Sequence, residues 1–483
     1  MRPRLLGLCL LACAVAPAQA AMFINPRGTG QVLLYPYYTV NAGQQTIFSL
    51  ANTTPRAKIV QVNFREAYNG RLVLRFDVIL GANDTWTGTV FESPADGITH
   101  LGRRDDSCTS PTLDAWTNPG TANGGPSQSF LPFDYTGNNE DGGPRAATRM
   151  REGYFEFVER AELVDDLAVA ANTRNCNRFA DLKPIATHAS LRPPAGGLRG
   201  SFAVVDVAEG TILAGNATAI EGFSTTPHFV PNENPILFDA FAAPAVAADG
   251  IRARVPVDGK LVEFTYPANR KVDALSALLM TDALLGDVTH EAGLGSNSEW
   301  VISAPTKRFH ADGDRALTQL APFANLFGAS GPDRACTAFA ATLHDRRGRS
   351  VALLPGPFLD PPPPFEPPQF MLCHAVDVVA YDAPPSLEAT PVLGSAFGAR
   401  AGEASPATDA GSLELTLGVI GDQRTFLPAG TDGPALRGLP VIGFEAVKYV
   451  NGNLTPGVLA NYTLGRALTS RAACSSGGSA PCP

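Results

Sequence analysis

The chain has 483 residues, of which 45% are hydrophobic and only 17% are charged, and its formal net charge is −9. Length and apolar content allow about two to four domains with sizeable cores. The acidic balance excludes the usual nucleic-acid-binding classes, because those proteins displace phosphate counterions with a basic surface. No nucleic-acid partner is therefore expected.

The first residues have the anatomy of a secretory signal peptide. Arg2 and Arg4 precede a short apolar run at 5–15, and the small-residue sequence at 18–20 resembles a cleavage site. We therefore expect residues 1–20 to be removed. The remaining chain is expected to be secreted, periplasmic or held at the cell surface.

An alternative interpretation is a lipoprotein signal ending at Cys13, but the apolar run before this cysteine is short for that purpose. Lipid modification is therefore the second choice. No later apolar segment reaches the roughly 18 residues that a membrane-spanning helix needs. No transmembrane segment is expected after the signal is cleaved.

The clearest predicted element is a hairpin. Large apolar residues occupy every second position of 72–80, and the run 58–65 alternates too. Asn69-Gly70 between these runs favours a type I′ turn with positive φ at both central residues. The intervening polar residues are expected on the outer face: Lys58, Gln61, Asn63, Arg65, Arg71, Arg75 and Asp77.

The same pattern extends over the whole N-terminal region, 21–104. Further alternating runs lie at 31–39, 46–52 and 85–91. Short strands at this density, separated by turn residues, are typical of a β-sandwich. An N-terminal β-sandwich is therefore predicted here.

Residues 105–149 lose the alternation and are dominated by Gly, Asn, Pro and Ser, which predicts a flexible insertion. Acidic loops at 138–141 and 312–314 cluster side-chain oxygens of the kind that Ca²⁺ prefers. Neither loop matches an EF-hand, and such clusters are most often simple turns. Calcium is a secondary expectation, with these candidate ligands: Asn138, Glu140, Asp141, Asp312 and Asp314.

The rest of the chain is predicted to be β-rich with long loops. Residues 150–310 contain strand patterns and one helix near 272–285, where leucines recur at helical spacing. Residues 311–410 are loop-rich and include a proline-rich segment at 355–368, expected to be a polyproline II spacer or an exposed loop. Residues 411–470 are predicted to be strands that complete a sandwich, and residues 471–483 are predicted to form a tail.

Six cysteines follow the signal segment, and an even number in an exported chain predicts disulfides rather than free thiols. Many connectivities are possible from the sequence alone. No CxxC motif is present, so neither thioredoxin-like redox chemistry nor a zinc knuckle is favoured. The simplest connectivity is sequential: Cys108–Cys176, Cys336–Cys373 and Cys474–Cys482.

No catalytic motif is present in the sequence: HExxH, GxSxG, the P-loop and GxGxxG are all missing. No catalytic residue and no cofactor other than calcium is therefore expected. Aromatic side chains stack on sugars when they are exposed, but packing within a strand is the commoner role of clustered tyrosines. The sugar-binding candidates are Tyr35, Tyr37, Tyr38, Trp86 and Trp116.

Six segments carry a resemblance to known proteins: 31–39, 63–67, 86–88, 299–309, 438–444 and 457–462. They resemble a group of exported β-rich proteins of Gram-negative bacteria that have no assigned function. The resemblance runs from the mature N-terminus to the last strands, which implies one architecture rather than a chain of unrelated modules. It implies no catalytic residues.

Together these patterns favour an all-β fold with one or more Ig-like β-sandwich domains, long Gly/Pro-rich loops and one or two short helices. The first functional hypothesis is a non-catalytic structural or adhesive protein. Its partner would be extracellular, at the cell surface or a second copy of the chain. The alternative is a secreted hydrolase or carbohydrate-binding protein on a β scaffold. Convergent carboxylates about 5–10 Å apart in a cleft would favour the enzyme, and a flat surface with satisfied acids would favour the structural protein.

Overall fold

The structure is a computed structural model. It describes residues 21–103, 105–112, 126–229, 239–242, 244, 250–313, 315–327, 335–353, 370–381, 389–401, 408–420, 423–430, 433–450, 460–476 and 482. The predicted signal peptide at 1–20, the proline-rich segment at 355–368, Trp116 and Asp314 lie outside the described residues.

Strands make up about half of the described chain and helices far less, and the prediction of an all-β fold is confirmed. The strands of the N-terminal half are β1 (Met22–Ile24), β2 (Val32–Thr39), β3 (Gln45–Asn52), β4 (Ala57–Glu66), β5 (Leu72–Leu80), β6 (Thr85–Glu92), β7 (Thr99–Gly102), β8 (Cys108–Ser110), β9 (Ser127–Ser129), β10 (Glu152–Leu163), β11 (Leu191–Arg192), β12 (Leu198–Asp206), β13 (Thr211–Asn216), β14 (Thr218–Glu221), β15 (Ile251–Val257) and β16 (Lys260–Tyr266).

The C-terminal half continues with β17 (Met280–Thr281), β18 (Ala283–Thr289), β19 (Ser296–Ser303), β20 (Thr337–Asp345), β21 (Ser350–Leu353), β22 (Phe370–Leu372), β23 (Val376–Tyr381), β24 (Gly398–Ala401), β25 (Ala410–Ile420), β26 (Gln423–Arg424), β27 (Phe426–Pro428), β28 (Ala435–Arg437), β29 (Leu439–Pro440), β30 (Ile442–Val450), β31 (Asn461–Ala467), β32 (Thr469–Arg471) and β33 (Ala473–Ser475). The α-helices are α1 (Asp165–Asn172), α2 (Lys271–Leu279) and α3 (Lys307–Ala311). Short 3₁₀ turns cover Asn41–Gly43, Pro132–Tyr135, Gly137–Asn139, Ala147–Arg151, Cys176–Phe179, Ala240–Ala242 and Ala292–Leu294.

A first sandwich is formed by two sheets. Sheet 1 has the order β16-β15-β1-β14-β2-β10-β4-β5-β8, with β11 on β10, and sheet 2 has the order β13-β12-β3-β6-β7-β9. Aromatic rings fill the space between them: Phe155 stacks on Tyr35 with centroids 4.2 Å apart and on Phe64 at 4.9 Å. Stacked aromatic pairs add stability beyond the apolar area that they bury.

A second sandwich follows along the chain. Sheet 3 has the order β21-β20-β25-β18-β32, with β22 on β20 and β26 on β25, and sheet 4 has the order β24-β23-β19-β30-β31. The alternating leucines of β25 face its core, as their spacing predicts, and Leu413, Leu415 and Leu417 are buried there against Trp300 of β19. Beside it, β27-β28-β33 and β17-β29 form small sheets.

The sandwiches share a core. The second face of sheet 4 packs on the first sandwich, where Phe444 lies 5.4 Å from Phe202 and 6.4 Å from Tyr37 between ring centroids. Separately, α2 packs on β15 and β1 of sheet 1. The described chain is therefore held together by continuous packing across the sheets rather than by a linker.

The first sandwich takes its strands from well beyond 21–104. In sheet 1, β10 lies between β2 and β4, and in sheet 2, β12 pairs with β3. A boundary at 104 therefore divides strands that belong to one sandwich. Alternation reports the faces of single strands and carries no signal for pairing between distant ones.

The predicted hairpin of β4 and β5 is confirmed, but the type I′ turn is wrong. Of the two central residues only Gly70 has positive φ, at 73°. The loop is longer because the Glu66 carboxylate accepts hydrogen bonds from the backbone N–H groups of Tyr68, Asn69 and Arg71. A buried acid, rather than the dipeptide, sets the shape of this loop.

The predicted helix near 272–285 is confirmed as α2 for residues up to Leu279 and wrong beyond that residue. Ala283–Thr289 forms β18, which pairs with β25. Leu284 is buried in the second core, so the leucine repeat that extends the helical pattern serves a strand there. Tertiary packing overrides the local periodicity at this point.

The cysteines bond in the sequential connectivity: Cys108–Cys176, Cys336–Cys373 and Cys474–Cys482. The first pair joins β8 to the turn after α1, and the second joins residues next to β20 and β22. Among the helices that the structure describes, none is both long and apolar enough to cross a bilayer.

Candidate functional site

The outer face of the β4–β5 hairpin, predicted to be exposed, is covered instead. Lys58, Gln61, Asn63 and Arg65 are each less than 5% exposed, and Asp77 is buried as well. Segments 126–151, 239–242, 305–313 and 315–317 lie over this side of sheet 1, and Leu72 N–H already donates to Asp134 Oδ2 at 3.0 Å. The expectation of solvated side chains is therefore wrong, because alternation shows that two faces differ but not what covers them.

The centre of this covered face is a set of shared ion pairs. Arg65 donates to Glu156 Oε1 at 2.8 Å and to Asp239 Oδ2 at 2.6 Å. Arg308 of α3 donates to the same two oxygens, at 3.0 Å each, and to the Tyr154 hydroxyl. Burial alone would raise the pKa of Asp239, but Arg65 and Arg308 outweigh it and hold that pKa well below its usual range.

A second set of ion pairs lies beside the first. Arg149 donates to both carboxylate oxygens of Glu66 and to both of Asp141. Its guanidinium also lies 4.3 Å from the ring centroid of Tyr135 and 4.9 Å from that of Tyr68. Charge-assisted and cation–π contacts of this kind are strongest when they are shielded from water.

The structure brings together two of the calcium candidates from separate loops. Arg71 lies between them, with Nη2 2.8 Å from Asp312 Oδ2 and Nε 3.5 Å from Asp141 Oδ2. A guanidinium therefore supplies the positive charge at the point where these carboxylates approach each other.

Two other calcium candidates, Asn138 and Glu140, do not take part in that contact. Glu140 pairs with Arg145 at 2.5 Å near the surface, and Asn138 is exposed. Within the described ranges, no group of three or more His, Cys, Asp or Glu residues is placed to hold a metal ion. Calcium binding stays a prediction.

A cavity of about 200 Å³ lies against these ion pairs. Among the described residues its wall contains five arginines and three aspartates. The arginines are Arg65, Arg71, Arg75, Arg308 and Arg315. The aspartates are Asp134, Asp239 and Asp312. Sequence reasoning placed Arg65, Arg71 and Arg75 on one face, and it did not connect them with the last two arginines, which are distant in the chain.

Burial dominates the titration of one arginine in the cavity wall. It lowers the pKa of Arg75 to about 10, although the attraction of Asp239 opposes this shift more strongly than the like charge of Arg65 adds to it. Arg75 Nε donates to Asn63 Oδ1 at 2.7 Å, which is a neutral acceptor.

Two carboxylates whose pKa values are raised to about 7 lie outside the cavity wall and hold chain segments in place. Burial raises the pKa of Glu299 to about 7, although the N–H groups of Val392 and Leu393 donate to it. Burial likewise raises the pKa of Glu159 to about 7, against the attraction of Lys58 Nζ at 2.7 Å. Both acids are fully buried, so they fix chain segments and are not accessible to a substrate.

The aromatic sugar-binding candidates are core residues. Tyr35, Tyr37, Tyr38 and Trp86 have no exposed surface, and they pack inside the first sandwich. They are therefore not placed to stack on a sugar, and the packing interpretation is confirmed.

Sheet 2 presents an outward face without charged side chains in its middle rows. The register places Ile47 of β3 opposite Ala203 of β12 and Ala203 opposite Ala214 of β13. The next row contains Val205 and Ile212, and Ile212 is 58% exposed. Ser49, Thr87, Thr89 and Ser201 continue the surface. We call these outward side chains of β13, β12, β3 and β6 the uncharged face.

Comparison with protein-family models, with curated proteins and with solved structures found no match to this chain. The resemblance to exported β-rich proteins of Gram-negative bacteria therefore stays a prediction from the sequence.

Proposed function

We propose that the protein is an exported, non-catalytic structural or adhesive protein that acts through the uncharged face. The observation that carries this proposal is the outward surface of sheet 2, where Ile47, Val205 and Ile212 lie among small neutral side chains. Exposed apolar surface of this kind marks interaction sites in folded proteins.

The partner that fits this surface is another neutral sheet face. Sheets pack face to face at about 10 Å with interdigitating side chains. A second copy of the chain supplies such a surface, and pairing of the same patch on both copies is the commonest symmetry of protein dimers. Self-association through the uncharged face is therefore the form of the proposal that we test.

The alternative, a glycosidase-like hydrolase, has less support. Such enzymes need one carboxyl group whose pKa is raised, so that it can donate a proton to the leaving group. In the cavity, Asp239 is held ionised by Arg65 and Arg308, and Asp312 and Asp134 are paired with Arg71 and Arg315. Satisfied acids in the wall support a structural protein over an acid catalyst.

The proposal of export is supported by the cysteines and the N-terminal residues, not by the uncharged face. The bonded cysteines lie in separate parts of the fold, and bonds of this kind persist in oxidising compartments. The signal-like residues at 1–20 agree with that compartment. Periplasm, cell surface and medium are distinguished by fractionation of the native cells.

The test introduces a charge into the uncharged face. Ile212→Asp places a carboxylate among neutral side chains, and Leu261→Asp is the matched control, because Leu261 is 66% exposed on β16 of sheet 1. Sedimentation velocity of the processed chain is expected to show assembly in the wild type and in the control, and its loss in Ile212→Asp. A dispersed wild-type monomer that turns over polysaccharides would overturn the proposal.

A further inference from the structure

A lysine in contact with two glutamates is enclosed in the first sandwich. The side chains of Lys58 on β4 and Glu159 on β10 have no exposed surface, and that of Glu162 on β10 is 10% exposed. Lys58 Nζ lies 2.7 Å from Glu159 Oε1 and 2.9 Å from Glu162 Oε1. Charged groups cost free energy to bury even when they are paired. A reaction that removed charge from this cluster would relieve that cost.

An irregularity in β10 brings both acids to the same amine. The register of β10 against β4 shifts between Glu159 and Ala161, where a β-bulge inserts an extra residue. In a regular strand, side chains three positions apart point to opposite faces. The extra residue places Glu159 and Glu162 on one face, and Glu162 lies directly opposite Lys58 in the ladder. Bulges that redirect a side chain in this way are over-represented next to active sites.

Backbone N–H groups hold the carboxyl group of Glu159 from the loop before β12. Ala195 N–H donates to Oε1 at 3.2 Å, and Gly196 N–H donates to Oε2 at 2.9 Å. Gly196 has a φ of 80°, which glycine adopts without strain. An N–H group aimed at a carboxyl oxygen stabilises the negative charge that develops there when a nucleophile adds to the carbon. Gly196 is placed to do this at Oε2.

The protonation of the cluster suits an attack on Glu159. Burial raises the pKa of Glu159 to about 7, although Lys58 and the two N–H groups oppose that shift. A substantial fraction of this carboxyl group is therefore neutral near pH 7, and a neutral carboxyl carbon is attacked more readily than a carboxylate. Glu162 is closer to solvent and contacts the same amine, so it is placed to accept a proton from Lys58.

We propose that Lys58 and Glu159 are joined by an isopeptide bond that forms within the folded chain. Nζ forms a bond to Cδ of Glu159, and the bond between Cδ and Oε1 breaks. Nζ loses two protons from its ammonium form. One passes to the Glu162 carboxylate, and the other leaves with the hydroxyl group of the protonated Glu159 as water. The step consumes no oxidant, reductant or second substrate.

Fixed geometry and the exclusion of water favour this condensation. Nζ is in hydrogen-bond contact with Oε1, and it is therefore close to the carbon that carries this oxygen. Well-oriented groups in one molecule react as if their concentration were about 10⁵–10⁸ M. The amide product is uncharged and costs less to bury than the ions that it replaces.

The bond would tie together strands that are 101 residues apart in the sequence. Its second strand, β10, enters sheet 1 between β2 and β4. A covalent link at this point would make that insertion permanent. The link is separate from the uncharged face, so this proposal and the proposed self-association succeed or fail independently.

The experiment is mass spectrometry of the processed chain after its disulfides have been reduced and alkylated. The wild type is expected to have the mass of its sequence less one water, and its proteolytic map to contain a peptide that joins Lys58 to Glu159. Lys58→Arg keeps the positive charge but removes the amine, and it is expected to have the full mass. Lys260→Arg, at an exposed lysine on β16, is the matched control and should keep the deficit.

The role of Glu162 is tested by Glu162→Gln, which keeps both bonding groups and removes the proton acceptor. Formation of the cross-link in newly made chains should slow about a hundredfold or more, as for the loss of other general bases. Circular dichroism establishes that each variant is folded, and if Lys58→Arg does not fold, the wild-type mass and peptide map decide the question alone. A folded wild type of full mass overturns the proposal, and so does a water deficit that maps to another pair of residues.

Discussion

Glu66 and Arg149 form a buried two-point ion pair, in which Nε donates to Oε2 at 2.8 Å and Nη2 donates to Oε1 at 3.0 Å. The pair joins the end of β4 to the turn Ala147–Arg151, which lies more than eighty residues along the chain. Glu66 also accepts from the backbone of the β4–β5 loop. One carboxylate therefore fixes both the hairpin loop and the segment that covers it.

Replacement of this acid should be strongly destabilising. Glu66→Gln removes the charge and half of the acceptor capacity, and it leaves Arg149 buried with Asp141 alone. We expect a loss of about 3–5 kcal/mol in the free energy of unfolding, as for other broken buried pairs. Urea denaturation at neutral pH measures it.

The control for this experiment is Glu263→Gln, which removes a partly exposed carboxylate that pairs with Arg254 on the surface of sheet 1. Exposed pairs of this kind contribute about 0–1 kcal/mol. Losses of equal size in the two variants would show that the Glu66 pair does not hold the loops together.

The ion-pair cluster could be predicted only in part. The sequence places Arg65, Arg71 and Arg75 on one side of a hairpin, and the charge of these three residues is the available signal that something covers them. The partners come from α3, from Asp239 and from the segment before β10, which no local pattern connects to the hairpin. No local pattern distinguishes Glu66 and Glu156, because an acidic residue in a strand has the same signature whether it is buried in an ion pair or exposed to solvent.

For the fold as well, the positions of single strands could be predicted from the sequence, and the pairing between distant strands could not. Strand positions such as β5 and β25 follow from period-two alternation, and the bounds of the hairpin agree with it. The order of strands in sheet 1 depends on β10 entering between β2 and β4. That insertion is a property of long-range pairing, in which side chains from several strands fit one another.

The buried acid Glu299 predicts a pH dependence with a definite sign. Its pKa in the folded chain, about 7, lies above the ordinary value of 4.5, chiefly because of burial. The folded chain therefore binds this proton more tightly than the unfolded chain does. The stabilisation is complete below pH 4.5 and is lost as the pH rises toward 7, by up to about 3 kcal/mol.

The measurement is the free energy of unfolding of the wild type and of Glu299→Gln at pH 5 and pH 8. The difference between the two proteins cancels the contribution of groups such as His228, which titrate in both. The variant should gain stability relative to the wild type as the pH rises. If the wild type instead gained stability relative to the variant as the pH rises, the N–H groups of Val392 and Leu393 would be keeping Glu299 ionised throughout this range.

The disulfides lead to one prediction about the reactivity of the thiols and one about the stability of the folded chain. Alkylation of the processed chain without reductant should modify no cysteine, as read by mass spectrometry. Removal of Cys336–Cys373 as a double alanine variant should lower stability by about 4 kcal/mol, and removal of Cys474–Cys482 by about 2.5 kcal/mol, since the longer loop is more constrained. A thiol that reacts without reductant, or the reverse order of losses, would contradict this reasoning.

The contact of Phe444 with Tyr37 and Phe202 predicts that the sandwiches unfold together. Phe444→Ala leaves a cavity between sheet 4 and the first sandwich, and comparable core truncations cost about 3–5 kcal/mol. The wild type should show one transition in urea, with coincident curves from tryptophan fluorescence and circular dichroism, because its core is continuous. Tyr462→Ala, at a side chain that is 62% exposed on β31, is the control and should change little. Two separate wild-type transitions would mean that each sandwich folds alone, and that the shared core adds contact without cooperativity.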